Sequence, residues 1–247
     1  MELGISGLRA LVCGASRGLG FACAAALAAE GVEVTLVARD HESLARAAAR
    51  IEQAGGVGVS TVAADVSTPS GREMLLAVAA APDILVNNAG GPASVDFRGL
   101  TLADWRAALD TNFLSAVELS RAVVDGMIQR RFGRIVNITS LTVRMPVQRL
   151  ELSNASRLAL TGFVSGVARQ LAPQGVTINN LLPGVIETER IRELGQTAQT
   201  LLAKVPAGRA GKPEEFGAAC AFLCSRQAAY ITGQNLLIDG GLCPITV

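Results

Sequence analysis

The sequence predicts an α/β fold of the Rossmann type, a doubly wound parallel sheet of about seven strands in a single domain. Three observations predict it. Short apolar, β-rich runs alternate with longer amphipathic runs along all 247 residues, the order that builds repeated βαβ units. The β-rich runs are apolar almost throughout and do not alternate, so helices must cover both faces of the sheet. A glycine-rich turn, "CGASRGLG", joins the first of these runs to the first helical one, at the sheet end where such folds hold ligands.

The elements follow in order. "RALVCG" is the first strand, and "GLGFACAAALAAEG" is a helix stopped by Gly31, as glycine commonly ends helices. "VEVTLVAR" is the second strand, followed by a helix through "HESLARAAARIEQAGG". "VSTVAAD", a helix around 70 to 80 and the strand "DILVNNAG" come next. "TLADWRAALDTNFLSAVELSRAVVDGMIQRR" reads as one long helix, with Arg130, Arg131 and Arg134 expected to cap its end, where cations meet the negative pole of the dipole. "GRIVNITS" is a strand, "SNASRLALTGFVSGVARQLAP" a helix and "GVTINNLLPG" a strand. The helix "KPEEFGAACAFLCS" and the strand "QNLLIDGG" complete the pattern. No Pro/Gly/Ser linker, charge block or repeat divides the chain, so residues 1–247 read as one domain.

Half the residues are hydrophobic and 17% are charged, enough for a sizeable core. A net charge of +1 offers no basic surplus for a nucleic-acid partner. The five cysteines, Cys13, Cys23, Cys220, Cys224 and Cys243, lack metal-type spacing. Cys220 and Cys224 share one helix face and read as small buried hydrophobes, so no metal is expected. The odd cysteine count and the lack of a signal-like N-terminus suit a reducing cytoplasm. The apolar runs are too short to span a membrane, and the expectation is a soluble cytoplasmic protein without a membrane partner.

Gly14, Gly18 and Gly20 have G-x-x-x-G-x-G spacing. Glycines there let the backbone turn tightly and approach a pyrophosphate, while the free N–H groups of the helix hold its charge. With Ser16, Arg17 and Leu19 they form the candidate phosphate cradle. The end of the second strand discriminates between cofactors. A carboxylate there accepts from the ribose hydroxyls of NAD(H), but this chain has Ala38 and then Arg39. The absent acid, with Arg17 and Arg39 as two cations, suits the extra phosphate of NADP(H). Asp40 is the rival, one residue later, and would favour NAD(H).

With these motifs in place the chain resembles the short-chain dehydrogenase/reductase family, nearly end to end. Asp65 and Val66 resemble its adenine contact, and "NNAG", with Asn88, Ala89 and Gly90, its signature after the fourth strand. Asn112 is similar to the helix asparagine that holds a proton-relay water, and Ser140 to the serine that hydrogen-bonds the substrate carbonyl. "PGVIET", with Pro183, Gly184, Ile186 and Thr188, resembles the segment that places the nicotinamide carboxamide. "GRAGKPEE" and "ITGQNLLIDGG" match the C-terminal third. The resemblance implies an NADP(H)-dependent oxidoreductase and a small carbonyl, alcohol or imine substrate. It also implies a homotetramer or homodimer, with Leu158, Phe163 and Val167 compatible with its interface, and a substrate lid over about 189–206.

The family's Y-x-x-x-K falls on Ser153 and Arg157. Tyr230 is the only tyrosine, in an "AAYITG" setting that reads as structural, and His41, the only histidine, starts a helix at the adenosine end. The family's tyrosine protonates an alkoxide with a phenol whose pKa in water is ~10; a serine hydroxyl is a far weaker acid. Arginine stays protonated and cannot pass a proton on. The expected roles are therefore Ser140 polarising substrate, Arg157 anchoring the nicotinamide ribose, and Ser153 binding substrate or relaying through water linked to Asn112. Glu151 is read either as a carboxyl acid or as a first-turn anion favouring the helix dipole. An iminium-like substrate would need no proton in the hydride step. The alternative is an inactive NADP(H)-binding sensor or scaffold.

Overall fold

Seven strands, all pairing in parallel, stand in the order β3-β2-β1-β4-β5-β6-β7 in the computed structural model, which describes residues 2–79 and 81–245. They are β1 (Arg9–Cys13), β2 (Glu33–Ala38), β3 (Val59–Ala63), β4 (Ile84–Asn87), β5 (Gly133–Ile138), β6 (Val176–Pro183) and β7 (Asn235–Ile238). The order reverses between β1 and β4, and this opens a crevice at the carboxyl ends of those strands.

The helices are α1 (Gly18–Ala29), α2 (His41–Gln53), α3 (Pro69–Val78), α4 (Leu102–Leu109), α5 (Ser115–Gln129), α6 (Glu151–Leu171), α7 (Glu189–Glu193), α8 (Gln196–Leu202) and α9 (Pro213–Cys224). One sheet face buries Val12, Val34, Leu36 and Val86 against Leu27, Leu44 and Phe216 of α1, α2 and α9. The other buries Leu11, Leu85, Ile135 and Ile178 against Leu75, Leu119 and Val164 of α3, α5 and α6. Apolar faces on both sides explain why the central strands read as continuous hydrophobic runs. At the edge β3 is largely exposed, since only one neighbour and one helix layer reach it. Among the described residues no helix is long and apolar enough to cross a membrane.

Three expectations need correcting. The long helix after β4 is two helices, α4 and α5, joined by a π-helical turn over Asp110–Leu114. Arg130 is the C-cap residue of α5, but Arg134 caps nothing. It lies inside β5, 3% exposed, donating to the Ser225 and Gly133 carbonyls and stacked over Phe132. Tyr230, expected to be structural, is fully exposed. Cys220 and Cys224 are buried free thiols, as expected, and so are Cys13 and Cys23.

Candidate functional site

The first turn is built on glycine for measurable reasons. Gly14 has φ +59° and Gly18 φ +60°, a region that side chains rarely adopt. A Cβ on Gly20 would lie 2.2 Å from the Gly14 carbonyl oxygen, and one on Gly14 would lie 2.5 Å from Asn88 Nδ2. Asn88 Nδ2 donates to that carbonyl at 3.2 Å, tying the loop after β4 to the loop after β1. Arg17 is the extended N-cap residue of α1 and its side chain does not cap the helix, which leaves the first N–H groups of α1 without a side-chain cap; Ser16 and Leu19 beside it are both partly exposed. Gly18 faces Thr188, where an added Cβ would meet the threonine methyl at 3.8 Å. The "PGVIET" segment therefore abuts the glycine turn: Pro183 ends β6, Gly184 packs on Asp239, and Ile186 bridges to Gly211.

Arg39 and Asp40 have separate tasks. Asp40 caps α2, accepting from Ser43 N at 2.8 Å, and hydrogen bonding to Ser43 holds its carboxyl below the usual range. His41 follows as the first residue of that helix. Arg39 is exposed beside Asp65. Asp65 accepts from the Ser67 hydroxyl and N–H, and these bonds, with the charge of Arg39, outweigh burial and lower its pKa. Arg17 pairs with Glu189 at the start of α7 instead of standing free.

Deeper in the crevice, Val66, Asn88, Ala89, Asn112 and Arg157 come together around a cavity of about 290 Å³ of empty space, part of it open to solvent. Asn112 sits in the π turn, donates to the Ala108 carbonyl, and has a buried Oδ1 with no partner. The local widening of a π turn is what re-aims a helical side chain at such a point. Arg157 is 8% exposed and donates through one guanidinium nitrogen to the Ile138 and Thr139 carbonyls, at 2.8 and 2.9 Å. Burial, aided by the charge of Arg190, pushes its pKa down to about 10.

Ser140 and Ser153 are not among the residues lining that cavity. Ser140 follows β5, and its hydroxyl accepts from Thr142 N at 3.1 Å. Ser153 is buried one turn before Arg157 on α6. Glu151 is the first residue of α6. One carboxylate oxygen accepts from Arg149 N and the other is buried without a partner. Gly90 meets nothing within 4 Å that an added Cβ would strike.

Several residues at this site carried no sequence signal. Arg190 rests on Gly91 and donates to the Pro92 carbonyl, while Cys13, Thr111 and Leu160 line the cavity. None belongs to a spaced motif, and only the fold brings them beside Arg157. The thiol of Cys13 is pushed up to about 12 by burial.

Residues 14–243 match the family described as Enoyl-(Acyl carrier protein) reductase. The chain is 38% identical over 242 residues to the 3-oxoacyl-[acyl-carrier-protein] reductase FabG of Escherichia coli, covering 97% of this chain and 99% of that protein. It is 33% identical over 240 residues to the acetoacetyl-CoA reductase of Cupriavidus necator, covering 94% and 97%. Its fold is similar to that of L-sorbose reductase from Gluconobacter frateurii, solved with NADPH and L-sorbose. The TM-score is 0.92, with 31% identity over 99% of this chain and 100% of that one. A 3-oxoacyl (acyl-carrier-protein) reductase from Agrobacterium tumefaciens with NADP bound is similar at a TM-score of 0.89 and 31% identity, covering 97% and 95%.

Proposed function

The chain belongs to the short-chain dehydrogenase/reductase family, and we propose that it is an NADP(H)-dependent oxidoreductase with Ser153 and Arg157 at the positions of the family's tyrosine and lysine. Its substrate is a small carbonyl, alcohol or imine. The observation that carries this reading is Arg157, a buried guanidinium beside Asn88, Ala89 and Asn112 at the carboxyl ends of the central strands.

The cradle at Gly14 and Gly20, which a Cβ would fill, fits a pyrophosphate, and the buried unpaired Oδ1 of Asn112 fits a bound donor beside it. Arg39 favours NADP(H): its charge is exposed at the ribose end, whereas Asp40 is committed to the α2 cap. The chains named above are reductases, and two of the solved neighbours hold NADPH or NADP.

The bound nicotinamide supplies or accepts hydride. In this reading the chain's residues orient and hold charge: Asp65, Val66 and Asn88 to Gly90 flank the adenosine and ribose, and Pro183, Gly184, Ile186 and Thr188 flank the carboxamide. Arg157 anchors the nicotinamide ribose through the donors not spent on the Ile138 and Thr139 carbonyls. Ser140 polarises the substrate, and Ser153 orients it or a water toward Asn112. Because neither Ser153 nor Arg157 is a good acid near neutrality, an iminium centre suits this site, since hydride addition to that cation gives a neutral amine directly and needs no simultaneous proton. Residues 189–206 form the lid, latched to the glycine turn by Arg17 and Glu189. The protein is read as a cytoplasmic homodimer or homotetramer, with the exposed Leu158 on its interface.

The test is NADPH oxidation against a panel of ketones, aldehydes and imines, alongside direct NADPH binding, in the native protein and in Ser153→Tyr/Arg157→Lys. Turnover of imines by the native protein, with ketone reduction appearing only in the double variant, is expected. Binding without any turnover across the panel would instead support a sensor or scaffold.

A further inference from the structure

Four asparagines stand in register on consecutive strands: Asn87 of β4 opposite Asn137 of β5, Asn137 opposite Asn180 of β6, and Asn180 opposite Asn235 of β7. Their side chains form one directed chain. Asn87 Nδ2 donates to Asn137 Oδ1 at 2.8 Å, Asn137 Nδ2 to Asn180 Oδ1 at 3.1 Å, and Asn180 Nδ2 to Asn235 Oδ1 at 2.7 Å. Asn137 and Asn180 are fully buried and Asn87 is 5% exposed. Asn235 lies on the edge strand and is only partly buried.

The ends of the chain differ. At the sheet edge it ends in an amide N–H₂. At the crevice it ends in Asn87 Oδ1, buried and without a partner, on a residue that lines the same cavity as Arg157. Arg157 reaches the same strand end, since its carbonyl partners Ile138 and Thr139 directly follow Asn137. Among the described residues no carboxylate pairs with Arg157. A buried cation needs a compensating negative potential. Amides that each accept on one side and donate on the other polarise one another in a low-dielectric interior. The direction is set by the same physics: turned over, Asn87 would present N–H₂ to a cavity that already holds a guanidinium.

We infer that Asn87, Asn137, Asn180 and Asn235 are positioning residues acting as one array, whose oxygen end supplies the counter-dipole that holds Arg157 charged and in place. No proton moves along it, because amides neither give nor take protons near neutrality; the array transmits polarisation only. The edge strand β7 is thereby coupled to the cavity three strands away, a distance of about 14 Å at the usual strand spacing. The consequence for cofactor binding rests on the reading of Arg157 as the ribose anchor.

The test uses two variants of the edge residue in the whole protein. Asn235→Thr keeps an acceptor for Asn180, and Asn235→Val has nearly the same shape and none. Side-chain amide NMR signals are followed at Asn87 and Asn137, with Asn154, which bonds only to the Val147 carbonyl, as the control. The expected result is a displaced Asn87 signal in Asn235→Val, recovery in Asn235→Thr and no change at Asn154. NADPH binding should weaken about twofold in Asn235→Val relative to Asn235→Thr, the scale of a modest cooperative loss. An Asn87 signal identical in the two variants would overturn the array. A transmitted NMR change with equal NADPH binding would uphold the array and overturn Arg157 as the ribose anchor.

Discussion

Arg39 and Asp40 show how adjacent residues that look equivalent in a sequence are separated by one hydrogen bond. Either could face a ribose at the end of β2. The Asp40 carboxylate is spent on Ser43 N, and a capping aspartate in its best geometry gains nothing by turning away. Removing it by Asp40→Ala should lower the midpoint of urea unfolding, as loss of a helix cap does, and leave the ratio of NADPH to NADH affinity unchanged. Arg39→Ala should do the reverse, lowering that ratio about tenfold, the loss of one charge-assisted contact to a phosphate, with stability little changed. A preference that follows Asp40 instead would restore the NAD(H) reading. Residues of this kind are only half legible in sequence: their position can be read, but the partner that claims them cannot.

Among elements, the strands were the most legible, because burial on both faces demands uninterrupted apolar runs such as Ile84–Asn87 and Gly133–Ile138. The π turn at Asp110–Leu114 was not. One extra residue in a turn leaves an amphipathic pattern almost unaltered over so short a span, and "DTNFL" carries no breaker. The start of α9 offers a measurable element. Glu215 accepts from Lys212 N and from Arg209 through both its oxygens, and these bonds, Arg209 first, hold its pKa down to about 2 from 4.5. A carboxyl depressed on folding contributes stability that is complete above 4.5 and is lost as pH falls through about 2. Unfolding measured between pH 5 and 2 should therefore show a smaller loss for Glu215→Gln than for the native chain. The difference should shrink in high salt, because the pair is exposed. Equal pH dependence of the two proteins would contradict this.

For the whole molecule, the arrangement of cysteines yields a simple check of the fold. Cys13, Cys23, Cys220 and Cys224 are buried and Cys243 is not, and a thiol reacts only as an accessible thiolate. Burial pushes Cys13 up to about 12, and Cys220 and Cys224 are raised well above the ordinary value as well. A thiol reagent at neutral pH should label one cysteine quickly, Cys243, and the other four only after denaturant. Rapid labelling of a second thiol would mean that the α1–α9 packing or the β1 end opens far more readily than its burial implies. The Arg17–Glu189 pair belongs to this scale too, since it joins residues 172 positions apart.

Periodicity, glycine spacing and the motifs after β1, β4, β5 and β6 determined the doubly wound sheet, the tight glycine turn after β1 and the place of Ser153 and Arg157. These are local patterns, and a parallel sheet covered on both faces leaves them few alternatives. What Arg157 touches, which acid claims Arg17, and that four asparagines on four strands join into one chain were decided only by the tertiary structure. Those contacts depend on strand register and on helices laid across it, which set angles and distances that no spacing along the chain records. Side-chain hydrogen bonds between residues 18 to 172 positions apart are a product of packing, and the chemistry proposed for this site rests on them.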